Sequence, residues 1–307
     1  MHSKFKHLLS LFQKGQIKKA NDECLEVLKK DPNNFDVLHL LGIILFQQKK
    51  YELSAEYINK SIKLNPDNAE ANNNLGIALR ELKKFELSLT SFKNAIKIDP
   101  YYVDAYNNLG ISFKELNNYN DAIDIWKKAI KIKSNFIHAY NNIGNALLEK
   151  KNPKDAIDNY DKAISINKNF FEAYFNKGNA LQQLNLHNEA IKSYEHAINI
   201  KFDYAEAFYN KGNSLRELNL LEDSLKEYET AFKINPNLKN LFGALIFVKH
   251  NLCDWKNYNK DLDFLKNELI KKKKISKPFT LLSIFDSPML QKMATEINIK
   301  DKYLNID

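Results

Sequence analysis

Cysteine, glycine and proline are all scarce in this sequence, and each scarcity removes a class of protein. The two cysteines, Cys24 and Cys253, stand near opposite ends of the chain. A disulfide-stapled scaffold needs several at close spacing, so a reducing, cytoplasmic setting is expected. The seven histidines are scattered, with no close His/Cys pair, and neither a metal site nor a cofactor is expected. With 8 glycines and 7 prolines in 307 residues, helix breakers are few, which suits a chain that is nearly all helix. Long apolar runs are also missing. The run from Leu8 to Phe12 is too short and broken for a signal peptide or a membrane span, so no membrane partner is expected. Hydrophobic residues at 44% and charged residues at 27% exclude general disorder.

Charge of one sign is lacking over most of the length. The formal net charge is +8, but residues 239–307 hold 13 lysines against 8 carboxylates, leaving a surplus of only three for everything before them. So even a balance carries no nucleic-acid footprint, and no nucleic-acid partner is expected.

What is present is a period. Ala105-Tyr106-Asn107-Asn108-Leu109-Gly110 ends on a glycine with counterparts at Gly42, Gly76, Gly144, Gly178 and Gly212, every step being 34 residues. Numbering each unit so that its glycine is eighth gives units 1–34, 35–68, 69–102, 103–136, 137–170, 171–204 and 205–238. The first unit has Leu8 in place of glycine. Small residues recur at the twentieth place (Ala20, Ser54, Ser88, Ala122, Ala156, Ala190, Ser224). Larger ones mostly fill the twenty-fourth (Cys24, Ile58, Phe92, Trp126, Tyr160, Tyr194, Tyr228). The twenty-seventh is again mostly small (Val27, Ser61, Ala95, Ala129, Ala163, Ala197, Ala231), and small residues beside a large one at helical spacing predict knob-and-hole packing between neighbouring helices. Pro32, Pro66, Pro100 and Pro236 mark turns between units. Asn68 stands where a helix N-cap is needed.

A helix–turn–helix period of 34 is the tetratricopeptide signature, and the chain resembles the tetratricopeptide repeat (TPR) family over most of its length. The resemblance implies an all-α, right-handed superhelical solenoid. Seven units are expected over 1–238, the first atypical, then a degenerate helix pair or cap over 239–272 and a helical extension over 273–307. It also implies that the first helix of each unit lines a concave face used for protein partners.

One side of that first helix repeats strongly. The sixth place holds Asn74, Asn108, Asn142, Asn176 and Asn210. The ninth holds Ile43, Ile77 and Ile111, then Asn145, Asn179 and Asn213. The second holds Asp36, Glu70, Asp104, His138, Glu172 and Glu206. Spacings of four and three put these on one face. Asparagine is a mediocre helix former, so its recurrence needs a reason. One reading is duplication, with the exposed face tolerating asparagine. The other is a ladder whose amides, offering donors and an acceptor, bind extended peptide. With helices about 8–10 Å apart and about 3.3 Å per extended residue, one rung meets the ligand every three residues or so. Asp104, Glu172 and Glu206 then favour basic or hydroxyl-bearing side chains. On this reading Asn→Ala changes weaken binding and barely touch stability.

Beyond the repeats come a helix over 240–251 and then the tract Leu252-Cys253-Asp254-Trp255, an amphipathic helix, Pro278-Phe279-Thr280-Leu281-Leu282 and Asp286-Ser287-Pro288-Met289-Leu290-Gln291. In order, over roughly Leu252 to Ala294, these pieces resemble the junction between repeats and catalytic region in the O-linked N-acetylglucosaminyltransferase/SPINDLY-like family. The resemblance implies that the asparagine ladder is a substrate-peptide groove. It also implies the alternative that this chain is the substrate-recognition arm of a truncated or split protein glycosyltransferase, its partner a catalytic domain in trans. No glycine follows Gly243 and no histidine follows His250, so no phosphate-cradling loop and no catalytic residue is assigned. Trp255 is expected in the junction core. Lys271–Lys274 reads either as a polyanion-binding run or as a solvated helix end.

Overall fold

The computed structural model describes residues 2–303, with side chains from Lys4 to Asp301. Among these residues it is all helix, with no strand. It divides into two compact units, one ending at Lys150 and one beginning at Lys151.

In the first unit, first and second helices alternate: α1 (His2–Gln13) and α2 (Ile17–Lys30), α3 (Phe35–Gln47) and α4 (Tyr51–Leu64), α5 (Ala69–Glu81) and α6 (Phe85–Ile98), α7 (Val103–Glu115) and α8 (Tyr119–Ile132). A further first helix, α9 (Ile137–Glu149), follows. The second unit continues with α10 (Pro153–Ile166), α11 (Phe171–Gln183), α12 (His187–Ile200), α13 (Ala205–Glu217) and α14 (Leu221–Ile234). It ends with α15 (Leu241–Asn251), α16 (Tyr258–Ile270), α17 (Pro278–Leu282) and α18 (Pro288–Tyr303).

The turn between first and second helix explains part of the period. Gly15, Lys49, Lys83, Asn117, Lys151, Asn185, Asn219 and Cys253, each 34 residues apart, all have φ between 54° and 72°. Each ends its helix in the left-handed conformation. The next amide reaches back five residues, from Gln16 N to Leu11 O (3.0 Å) in the first turn and from Asp254 N to Lys249 O (2.9 Å) in the last. The repeat geometry therefore runs past the last regular sequence unit to Cys253.

Packing explains the rest. A Cβ on Gly110 would lie 2.4 Å from Trp126 Nε1, and one on Gly178 would lie 2.5 Å from Tyr194 Cε1. The eighth place is glycine because the large side chain from the twenty-fourth, a ring or at Gly42 the Ile58 chain, fills its space. The first repeat solves the same problem in reverse, with Leu8 and Cys24 both fully buried. Burial pushes the Cys24 thiol up to about 12, with Glu23 adding to the effect, so it behaves as a small apolar residue. Serines at the twentieth place close the helix pair from inside: Ser54 Oγ donates to Gly42 O and Ser224 Oγ to Gly212 O, both at 2.8 Å. Asn68 caps α5 as the sequence suggests, accepting from Ala71 N at 2.9 Å.

Within the first unit successive first helices touch one another, α1 to α3, α3 to α5, α5 to α7 and α7 to α9. Their second helices share no comparable contact among the described residues. The first helices thus form the crowded inner layer of that unit.

In the second unit the chain folds back after α16. Asn240 N donates to Lys274 O (2.9 Å) and Gly243 N to Ile275 O (3.0 Å). A Cβ on Gly243 would lie 2.1 Å from Ser276 Oγ and 2.9 Å from its Cα, so only glycine admits this segment. Leu281, Ile284 and Ala294 then join Leu241, Leu245, Leu265 and Leu269 in one buried cluster.

Candidate functional site

The sixth-place asparagines are all half-buried, and Asn74, Asn108 and Asn142 lie on the inner layer of the first unit. In the first unit their side chains bond laterally, from one first helix to the previous one. Asn108 Nδ2 donates to Asn73 Oδ1 and Asn142 Nδ2 to Asn107 Oδ1, each at 3.0 Å. Asn74 Nδ2 meets His39 Nε2 at the same distance. Every rung spans 35 residues, from the sixth place of one repeat to the fifth of the repeat before. Asn73 and His39 are buried, so these bonds satisfy polar groups that water cannot reach. Asn108 Oδ1 also accepts from Arg80 Nη1 at 3.5 Å.

The second unit builds its rungs differently. The fifth place is now aromatic, at Phe175 and Tyr209, and the acceptor moves to the ninth. Asn210 Nδ2 donates to Asn179 Oδ1 at 2.8 Å, and Tyr194 Oη donates to that same oxygen at 2.8 Å. Tyr228 Oη donates to Asn213 Oδ1 at 2.7 Å. Burial raises the pKa of both tyrosines well above the usual phenol, which keeps them as donors. Asn176 and Asn145, also half-buried, stand at the equivalent places of their own repeats.

Asp104 and Glu206 are exposed and Glu172 is half-buried. Their charge reaches the inner layer. Burial lowers the His39 pKa, and Glu70 and Asp36 oppose that effect. Burial raises the Tyr102 pKa, and Glu70 and Asp104 add to it. Among the described residues Asp36, Glu70 and Asp104 form no ion pair.

Sequence reasoning missed the fifth-place acceptors His39, Asn73 and Asn107 and the donors Tyr194 and Tyr228. Two signals were available. Asparagine comes in doublets at 73–74, 107–108 and 141–142, and Asn at the ninth place goes with Tyr at the twenty-fourth.

The face does not stay open to the end of the second unit. Asn240 and Gly243 are the second and fifth places of the next repeat, and residues 274–276 lie across them. Trp255, expected in the core, is instead 54% exposed. It stands in a stretch added between Cys253 and α16, edge-on to Tyr258 at 5.3 Å and tilted against His250 at 5.0 Å. The lysine run is mostly paired: Lys271 and Lys273 bond Glu268, and Lys274 shares Asp301 with Lys239. No group of three or more metal-ligand side chains occurs among the described residues. No described helix is long and apolar enough to cross a membrane.

First helices stacked within a unit, most of their pairs closed by a glycine against a large side chain from the second helix, define a helical-repeat protein. Tetratricopeptide repeat models match residues 35–68, 57–90, 103–136, 171–204 and 205–238, and a further TPR repeat model matches 76–117 and 144–185. The chain belongs to the tetratricopeptide repeat family. It is similar to MamA, at 30% identity over 52% of this chain and 93% of that one, with a TM-score of 0.50. A tetratricopeptide repeat protein from Parabacteroides merdae shares the fold at 16% identity, covering 80% of this chain and 99% of that one, with a TM-score of 0.64. PilF of Pseudomonas aeruginosa does so at 17% identity, covering 66% and 92%, with a TM-score of 0.57. No curated protein matches the sequence.

Proposed function

We propose that the chain is a protein-interaction scaffold that holds an extended segment of a partner across its first helices, the partner's backbone meeting the sixth-place asparagines. The observation that carries this reading is the row of half-buried amides, fixed side by side at one spacing. A row whose geometry is already set loses little freedom on binding, and preorganisation of this kind raises affinity. The acids beside it favour basic or hydroxyl-bearing partners.

The test is a hydrogen-exchange footprint. Peptides selected by display on the whole chain are expected to protect α3, α5, α7 and α9, or α11 and α13. Protection confined to second helices or to residues 274–303 would overturn the reading.

A second reading rests on the resemblance of residues 252–294 to a glycosyltransferase junction: the scaffold presents its peptide to a catalytic domain in trans. It expects the chain alone to show no saturable binding of a sugar nucleotide in a calorimetric titration, and capture of a sugar-nucleotide-binding partner when that partner is supplied.

A further inference from the structure

The reading above leaves open which extended conformation fits, and the first unit restricts it. Three rows cross α3, α5 and α7. The acids Asp36, Glu70 and Asp104 lie at the second place, the amides Asn74 and Asn108 at the sixth, and the half-buried Ile43, Ile77 and Ile111 at the ninth. Second and ninth places are seven residues apart, so acid and isoleucine rows are separated by about 10 Å along each helix. Across the helices each row repeats at about 8–10 Å.

A β-strand ligand does not match this. Its side chains alternate in direction, so those facing one row recur at about 6.6 or 13 Å. A polyproline II segment has three residues per turn and about 3.1 Å per residue. Its side chains return to one face every 9.3 Å or so, in step with the helices. The amides give a second reason. Asn108 gives one Nδ2 hydrogen to Asn73 and its Oδ1 already receives the Arg80 guanidinium, so its second N–H is the group left wholly free, beside one lone pair on an engaged oxygen. A site that leads with an N–H suits a ligand rich in free carbonyls. Polyproline II has no internal hydrogen bonds, and proline has no N–H.

We infer that the face of α3, α5 and α7 takes a proline-containing polyproline II segment with a basic residue at every third position, facing Asp36, Glu70 and Asp104, and an apolar residue beside it, facing Ile43, Ile77 and Ile111. This rests on the scaffold reading of the same face.

The test uses three labelled twelve-residue peptides and fluorescence anisotropy on the whole chain. One is four copies of Lys-Leu-Pro, one is four copies of Leu-Lys-Pro to allow the opposite chain sense, and one is the same composition with lysines spaced by two and four. One of the period-three peptides should bind about tenfold tighter than the irregular one, three rim charges in register being enough for that. The triple variant D36N/E70Q/D104N should erase the difference while the chain stays folded by circular dichroism; the modest fall in melting temperature expected from losing three first-turn acids acts on all three peptides alike. Equal binding of all three peptides, no binding of any, or a preference that survives the triple variant would overturn the inference. If display-selected peptides still footprint on α3, α5 and α7 while showing no period of three, only the conformation is wrong. If they footprint elsewhere, the scaffold reading fails as well.

Discussion

The two units hold the same sixth-place asparagine in two different ways. In the first, its partner is polar and sits at the fifth place of the previous repeat; for Asn74 and Asn108 the ninth place is Ile77 or Ile111 and the twenty-fourth is Phe92 or Trp126, while the repeat of Asn142 already carries Asn145 and Tyr160. In the second, the fifth place is Phe175 or Tyr209, and the ninth-place asparagine accepts from both the neighbouring asparagine and a tyrosine hydroxyl. The polar bond has moved about one helical turn: the ninth and twenty-fourth places change together at Asn145 and Tyr160, and the fifth changes one repeat later, from Asn141 to Phe175. A buried hydroxyl needs a partner, so Tyr at the twenty-fourth place is tolerable only where the ninth is Asn. The unit of change in this array is therefore a linked set of side chains, with the rung as the part that persists.

Transplanting one solution into the other unit should give the largest effect. Phe92→Tyr alone would aim a hydroxyl at Ile77, leaving it buried and unpaired, at a cost of about 1–3 kcal/mol. Ile77→Asn alone should cost about 1 kcal/mol or more by exchanging apolar contact with Phe92 for a half-buried amide. Together they recreate the pair that Tyr194 makes with Asn179. The double variant should recover at least about 1 kcal/mol relative to the sum, measured by urea denaturation as a double-mutant cycle. Strict additivity would mean the two solutions are unlinked histories and not alternatives.

A smaller contrast comes from cutting a rung. Asn108→Ala takes from the buried Asn73 its asparagine donor and leaves Tyr102 as its side-chain partner, a loss of about 0.5–1.5 kcal/mol, offset by up to about 0.7 kcal/mol from alanine's better helix propensity. Asn210→Ala leaves Asn179 still accepting from Tyr194, so the net change should be under about 0.5 kcal/mol. Denaturation midpoints of the two variants check the order. Equal losses would mean that the tyrosine hydroxyl does not substitute for the rung.

That contrast also marks where the sequence was legible. The glycine spacing and the small and large residues at the twentieth and twenty-fourth places describe packing within one repeat, and Gly110 against Trp126 is that packing. The face carrying Asn108 and Asn142 was legible too, because helical period alone places it. The lateral bonds were not. They depend on how far one repeat stands from the next, and no period within a repeat encodes that distance. Hence Asn73 and Asn107 were passed over, and asparagine at the sixth place was expected to be dispensable for stability. Trp255 was misplaced for a different reason: the second helix after Cys253 starts three residues later than the period requires, which carries the ring outward. Residues 274–276 bonding back to Asn240 and Gly243 are a long-range contact with no local signal beyond the unexplained Gly243.

The first rung of all, Asn74 with His39, is the one that titrates, and it separates the two ends of the first unit. His39 is buried and its imidazole accepts from Asn74 Nδ2 if the rung follows its neighbours, which requires the neutral ring. Burial lowers its pKa in the folded state, against the opposing pull of Glu70 and Asp36. With a folded pKa below the unfolded value of about 6.5, the unfolded chain takes up the proton first. The stabilisation is fully present above that unfolded value and is lost as pH falls through it toward the folded pKa. The slope is limited to about 1.4 kcal/mol per pH unit for one proton, and the two carboxylates should keep it well below that limit. His39→Asn replaces the rung with the Asn–Asn form seen at Asn73 and Asn108, and should flatten the dependence between pH 7 and 5.5 while leaving stability at pH 7 nearly unchanged. Urea midpoints at several pH values, for parent and variant, measure this. An equal loss on acidification in both would move the titration to some other group and leave His39 an ordinary core side chain.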